Sequence, residues 1–253
     1  MRKSLLVLVL FLCSCVRIRA PYEFDYKEVE VDGFTIASWQ KITDKTKGYK
    51  VYIEGDGASF NAHGMPTNDP TPRGKLLREI AFGDENVNVI YLARPCQFIM
   101  GGMCSQRHWT TARFASEVIR AQGDAIASIV GKNEVVLVGF SGGAQVAGLV
   151  ASLRKDLNIK KVITIAGNLD HLAWTTYHKL PSLNESLNLG DYKDIFFRFE
   201  QMHFVGSQDD VIIPNLVYDF VKNVKSGKIE VIEVEEATHN LGWESIYDTV
   251  RRQ

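Results

Sequence analysis

Apolar and polar residues alternate with period two through "EVEVDGFTIASW" (residues 28–39), and the alternation is broken at Asp32-Gly33. That pattern predicts two antiparallel strands joined by a tight hairpin. "YKVYIEGDG" follows as a strand running into a glycine-rich loop, and a long polar stretch from Ala58 to Thr71 separates it from the next periodic segment. Thr71-Pro72 is placed to open a helix over "PRGKLLREIAF". Short β-branched runs then take turns with segments of helical period: "VNVIYLA", a helix over "TTARFASEVIRAQGDAIASIV", "EVVLV", a helix over "GAQVAGLVASLR", and "KVITIAG". "MHFVG", a helix from Pro214 through Val224, "KIEVIEV" and a short helix from Glu244 complete the chain. This βαβα order predicts an α/β fold with a mostly parallel sheet, helices flanking it and the antiparallel hairpin at its N-terminal end. There is no internal repeat, low-complexity tract or linker, so residues 26–253 are expected to form one domain.

Composition narrows the function without naming it. The 253 residues are 45% hydrophobic and 23% charged, values of a globular protein with a full core. Net charge is −1 and no Lys/Arg-rich run occurs, which points away from nucleic acid and toward small-molecule chemistry.

The first residues do not fit a fold. Met1-Arg2-Lys3 is positive, Leu5 to Leu12 is apolar but too short to span a bilayer, and "LCSC" closes the segment. This reads as a secretory signal, and Leu12-Cys13-Ser14-Cys15 resembles the lipobox of bacterial lipoproteins. The resemblance implies removal of residues 1–14, lipidation of Cys15, a tether over 15–25, and a place in the bacterial cell envelope, held to the bilayer and facing the periplasm. An ordinary signal peptide cut near Ala20, or an uncleaved anchor, is the alternative. With Cys13 removed and Cys15 acylated, Cys96 and Cys104 remain in an oxidising compartment, where a disulfide is expected.

Candidate chemistry centres on "GFSGG", residues 139–143, a match to G-x-S-x-G at a strand-to-helix turn. In that context the glycines allow a sharp turn that lifts the Ser141 hydroxyl above the sheet. A serine N-cap in a glycine-rich turn would look similar, so partners decide. The strand "MHFVG" ends in "SQDD" and the strand "KIEVIEV" ends in "EEATH", which places Asp209 and His239 after the two strands where an acid and a base are needed. Ser141 would then be the nucleophile, His239 its base and Asp209 the group that orients the imidazole. Asp210 and, after the strand "KVITIAG", Asp170 are alternative acids. The Gly142 amide is one expected oxyanion donor, and the second is expected from Asp56 or Gly57 in "EGDG".

The chain resembles the α/β-hydrolase superfamily over roughly residues 26–250. Within it, it is similar to a group of uncharacterised bacterial lipoproteins through "YIEGDG", "DPTP", "YLARPCQ", "WTTARF", "GFSGG", "AGNLD", "HFVG" and a final "H-x-x-GW". The resemblance implies a serine hydrolase at the membrane acting on an ester or related acyl bond; a peptidase or amidase, and a catalytically silent envelope-binding lipoprotein, are the rival readings. It also favours Asp209, which keeps the usual spacing from Gly206, although Ile213 stands where such loops carry a proline.

The segment "GNLDHLAWTTYHKLPSLNESLNLGDY" is short and largely polar, so a large lipase-type lid is not expected. Pocket walls are expected from the Ala58–Thr71 loop, the Cys96–Cys104 loop with Met100, Met103 and Trp109, and Leu172 to Tyr177. His63, His108, His171, His178 and His203 show no metal-ligand spacing, and neither metal nor cofactor is expected.

Overall fold

The computed structural model describes residues 18–222, 224 and 228–253. The signal segment and Cys15 lie outside the described residues.

Eight strands form one sheet: β1 (Asp25–Val31), β2 (Phe34–Ile42), β3 (Tyr49–Ile53), β4 (Asn88–Leu92), β5 (Glu134–Phe140), β6 (Asn158–Ile165), β7 (Glu200–Gly206) and β8 (Ile229–Val234). Their spatial order is β1-β2-β4-β3-β5-β6-β7-β8, with β1 and β2 antiparallel and β4, β3 and β5 to β8 all parallel. The helices are α1 (Leu76–Phe82), α2 (Ser116–Val130), α3 (Gly142–Leu153), α4 (His171–Tyr177), α5 (Lys193–Phe196), α6 (Pro214–Val221) and α7 (Tyr247–Arg252).

Burial follows position in the sheet. Every residue of β3 and β4 is buried, as parallel strands covered on both faces require. Edge strand β1, "DYKEVEV", is mostly exposed and densely charged, which discourages pairing with a second sheet. The hairpin at Asp32-Gly33 forms as expected, with both residues at positive φ.

Two helices start later than the sequence pattern suggests, for a common reason: their first residues bond elsewhere. The Thr71 hydroxyl accepts from the Phe98 amide (2.7 Å) instead of capping a helix, and α1 begins only at Leu76. Ahead of α2, Gln106–Trp109 is a 3-10 turn and Ala115 is extended. The backbone between them serves side chains: the Ser186 hydroxyl donates to Thr111 O (2.8 Å), the Phe114 amide donates to Ser186 Oγ (3.1 Å), and Arg94 donates to Arg113 O. At the far end, α6 stops at Val221.

Register brings the site together. Ile53 pairs with Gly139 and Gly139 with Thr164, so the loops after β3, β5 and β6 leave the sheet side by side. Gly206 pairs with Val234, which sets the loops after β7 and β8 next to each other on the same carboxyl edge.

Candidate active site

Ser141 has φ 51° and ψ −121°, a conformation that L-residues seldom adopt. The surrounding glycines show how the turn fits. A Cβ on Gly139 would lie 2.5 Å from Gly143 O, and one on Gly143 would lie 2.3 Å from Ile53 O, so α3 meets β3 and β5 at a distance that only glycine permits. The Ser141 amide donates to Ile165 O, and the Ser141 carbonyl accepts from the amides of Ala144 and Asn168, each at 3.0 Å. The elbow is therefore held on both sides. Gly142 opens α3, and the first amides of a helix have no acceptor within it, so its N–H sits at the positive end of the helix dipole.

His239 Nε2 lies 3.0 Å from Ser141 Oγ, and its Nδ1 lies 2.9 Å from Asp209 Oδ2. Asp209 is buried, and its other oxygen accepts from the amides of Val211 (2.9 Å) and Ile212 (2.8 Å). One oxygen is fixed by backbone and the other faces the imidazole. The loop that carries His239 is braced from below: buried Trp243 donates its indole N–H to Thr238 O (2.9 Å), and the Thr238 amide donates to Leu241 O (3.0 Å). The Phe140 ring packs against the imidazole at 5.3 Å between centroids.

The other candidate acids stand apart. Asp210 is exposed, whereas Asp170 caps α4, accepting from the amides of Leu172 (3.1 Å) and Ala173 (3.0 Å) and from Asn188 Nδ2 (2.8 Å).

The "EGDG" loop lies against the elbow. Gly55 is so close that a Cβ there would sit 3.2 Å from Ser141 Cβ, and one on Gly142 would overlap the Asp56 carboxylate. Gly57, at φ 63°, packs on Pro70 O. The loop is fixed by side chains that the sequence reading did not pick out. Arg94 and Arg113, both buried, grip opposite oxygens of Asp56, Arg113 Nη1 donating to Oδ2 at 2.6 Å. Gln97 Nε2 donates to Gly55 O (2.8 Å), and the Ser59 hydroxyl donates to Asp56 O (2.5 Å). Burial pushes the Asp56 carboxyl up, but the charges of Arg113 and Arg94 outweigh it and hold the group below the ordinary carboxylate range. Glu54 behaves in the opposite way. Burial lifts its carboxyl above the usual range despite hydrogen bonds from the Tyr91 hydroxyl (2.6 Å) and the Gly55 amide (3.0 Å).

Ser141 and His239 open into a cleft of about 1120 Å³. The Ala58–Thr71 loop supplies part of its wall, as expected, through Phe60, Asn61 and Thr67. Two expectations fail. The Cys96–Cys104 loop does not line the cleft: its Met103 amide donates to Gly33 O (2.9 Å), which folds that loop onto the hairpin, and Trp109 is buried, donating to Thr67 O (3.0 Å). From Leu172 to Tyr177 only Trp174 lines the cleft. Further wall comes from Pro72 to Leu77, from Arg113, from Val211 and Ile212, and from Asn240 to Glu244 with Tyr247. Cys96 and Cys104 form a disulfide with Cα atoms 5.5 Å apart. Among the described residues no group of three or more His, Cys, Asp or Glu side chains is placed to hold a metal ion, and no helix is long and apolar enough to cross a membrane.

Comparison with solved structures shows the same fold at low sequence identity. An esterase of Pyrococcus furiosus superposes with a TM-score of 0.61 at 17% identity, over 93% of this chain and 93% of its own. A serine hydrolase without lid from Xanthomonas campestris gives 0.55 at 12%, over 93% and 94%. Est1E from Butyrivibrio proteoclasticus gives 0.64 at 12%, over 90% and 96%. No curated protein matches the chain in sequence. The family model described as serine hydrolase (FSH1) matches residues 103–240, a stretch that spans the elbow, the Asp209 loop and His239. With more than half of its length matched, the chain belongs to the serine hydrolase (FSH1) family, on an α/β-hydrolase fold.

Proposed function

We propose that the protein hydrolyses a carboxylic ester through an acyl-enzyme on Ser141, with His239 as general base and Asp209 orienting it. The observation that carries this reading is His239 standing between Ser141 Oγ at 3.0 Å and Asp209 Oδ2 at 2.9 Å. Ser141 Oγ attacks the ester carbonyl while His239 Nε2 takes its proton, and Asp209 stabilises the imidazolium that forms. The tetrahedral oxyanion is held by the amides of Gly142 and of Asp56 or Gly57. Collapse breaks the bond to the alkoxy group, which leaves as an alcohol with the proton returned from His239. Water, deprotonated by the same imidazole, then attacks the acyl-enzyme, and the acid leaves as Ser141 is restored.

An acyl ester is supported by the apolar part of the cleft, which Phe60, Leu76, Trp174, Ile212 and Leu241 line together with Ser141. The structural neighbour from Pyrococcus furiosus is described as an esterase. The test is fluorophosphonate labelling together with turnover of p-nitrophenyl esters of graded chain length. Wild type should be labelled and active, and Ser141→Ala should be neither; an active Ser141→Ala removes the reading. Faster turnover of matched anilides would replace the ester by an amide, and a folded wild type that neither labels nor turns over would leave a binding lipoprotein.

The reading includes an exported protein held to the cell envelope by acylated Cys15, with residues 1–14 removed and 26–253 as the single catalytic domain. Its support is the sequence of the leader, from Met1-Arg2-Lys3 to Cys15. Cys15→Ser should yield protein without acyl groups that no longer sediments with membranes. Wild type recovered soluble and unacylated would indicate ordinary signal cleavage.

A further inference from the structure

We infer that Arg94 and Arg113 are positioning residues of the oxyanion hole, acting through the Asp56 carboxylate. This rests on the reading above, in which the Gly142 amide and one from the Asp56-Gly57 loop hold the oxyanion, and takes Asp56 as the second donor; it gives a role to "YLARPCQ" and "WTTARF", motifs that the triad leaves unexplained.

The geometry sets up a conflict and its resolution. Asp56 Oδ1 is packed against Gly142 so closely that an added Cβ would come within 2.1 Å of it. A bare carboxylate beside the amide that must stabilise a developing negative charge opposes the reaction. Here the carboxylate is not bare. Arg94 Nη1 bonds Oδ1 and Arg113 Nη1 bonds Oδ2, so each oxygen has its own cation. The cations are themselves held. Arg94 donates to the Arg113 carbonyl and lies over the Phe114 ring at 5.0 Å, while Arg113 Nε donates to Thr110 O at 2.8 Å and its guanidinium lies over Phe60 at 5.4 Å. With its carboxylate, its carbonyl and the neighbouring Gly55 carbonyl all bonded, Asp56 has one backbone arrangement to present to the substrate. The clamp therefore does two things at once: it cancels a charge beside Gly142 and it fixes the Asp56 amide. Arg113 also lines the cleft, so the compensating charge stands on the substrate side.

The test compares wild type, Arg113→Gln, Asp56→Asn and the double variant for kcat and KM on a p-nitrophenyl ester, with the rate of fluorophosphonate labelling as a second readout. Arg113→Gln should lower kcat and labelling rate by about a hundredfold, the scale of losing one oxyanion donor, with KM changed less than about threefold. Adding Asp56→Asn to it should restore kcat at least about fivefold, because the carboxylate left without its partner is removed. A merely structural clamp predicts no such recovery, so a double variant as slow as Arg113→Gln overturns the inference. So does an equal loss in KM. If Arg113→Gln does not fold, Arg113→Lys carries the test: it keeps the charge, loses the fork, and should fall between wild type and a hundredfold loss. Wild-type labelling at Ser141 is read first. Its failure removes the triad reading, whereas a labelled wild type with an unaffected Arg113→Gln removes the clamp alone.

Discussion

Asp209 faces His239 with one oxygen only: Oδ2 lies 2.9 Å from Nδ1, while Oδ1 is occupied by the amides of Val211 and Ile212. That division fixes both the direction of the carboxylate and the tautomer of the ring. An imidazole that donates from Nδ1 presents a bare Nε2 to Ser141.

Asp209→Asn is therefore expected to cost on the order of 10⁴ in kcat, since the amide can hold the ring in the wrong tautomer. Asp210→Asn, at an exposed side chain, should cost tenfold or less by loss of screened charge. Asp170→Asn should spare kcat and change stability by no more than about a few tenths of a kcal/mol, because asparagine caps a helix about as well as aspartate. Steady-state rates and thermal melts of the three variants check this. A near-normal Asp209→Asn would assign the imidazole another acid.

How much of this was legible in the sequence depends on the range over which a signal acts. Ser141, Asp209 and His239 each follow a strand whose period is local, so their places at the carboxyl edge could be read from "EVVLV", "MHFVG" and "KIEVIEV". Arg94 and Arg113 could not be read that way. Their partner Asp56 is 38 and 57 residues away, and no local period marks a side chain that reaches across the fold. Other long-range bonds explain the later helix starts, because Thr71 and the residues before α2 bond to the turn after β4 and to Ser186 rather than to a helix of their own. The signal that was available was the pair of arginine-bearing motifs themselves, since an arginine set among apolar residues, as Arg94 is two positions past buried β4, has to find an anion if it is buried.

The disulfide should matter for stability more than for rate. It spans a sequence separation of 8 and closes a loop that folds back on the Asp32-Gly33 hairpin, outside the cleft. Replacing both cysteines by serine is expected to lower the unfolding free energy by up to about 2.5 kcal/mol on the chain-entropy scale. Gln97 and Arg94 hold the oxyanion loop through their own hydrogen bonds, so kcat should stay within about threefold. Denaturant melts and ester turnover with and without reductant separate the two effects. A collapse of kcat at unchanged stability would show that the loop reports to the site.

Acid sensitivity should come from a histidine that takes no part in the reaction. His203 on β7 is fully buried, and burial pushes it down to about 3. Its neighbours suit a neutral ring: Gln201 directs its amide nitrogen to Phe196 O (2.7 Å), which leaves Oε1 to accept from Nε2 (3.0 Å), and the Thr164 hydroxyl then donates to Nδ1 (2.7 Å). In the unfolded chain the same group titrates near the ordinary histidine value of 6.5. Between these values the unfolded state binds the extra proton, so stability rises with pH across the window and is lost as pH falls from 6.5 toward 3. The slope is about 1.4 kcal/mol per pH unit once the unfolded histidine is protonated. A His203→Gln variant can keep a donor and an acceptor at this place without titrating. Its unfolding free energy, followed by denaturant melts from pH 7 down to pH 4, should fall less steeply than that of wild type by this amount. Equal slopes in the two proteins would mean that other groups carry the acid response, with His203 protonated at no cost to the fold.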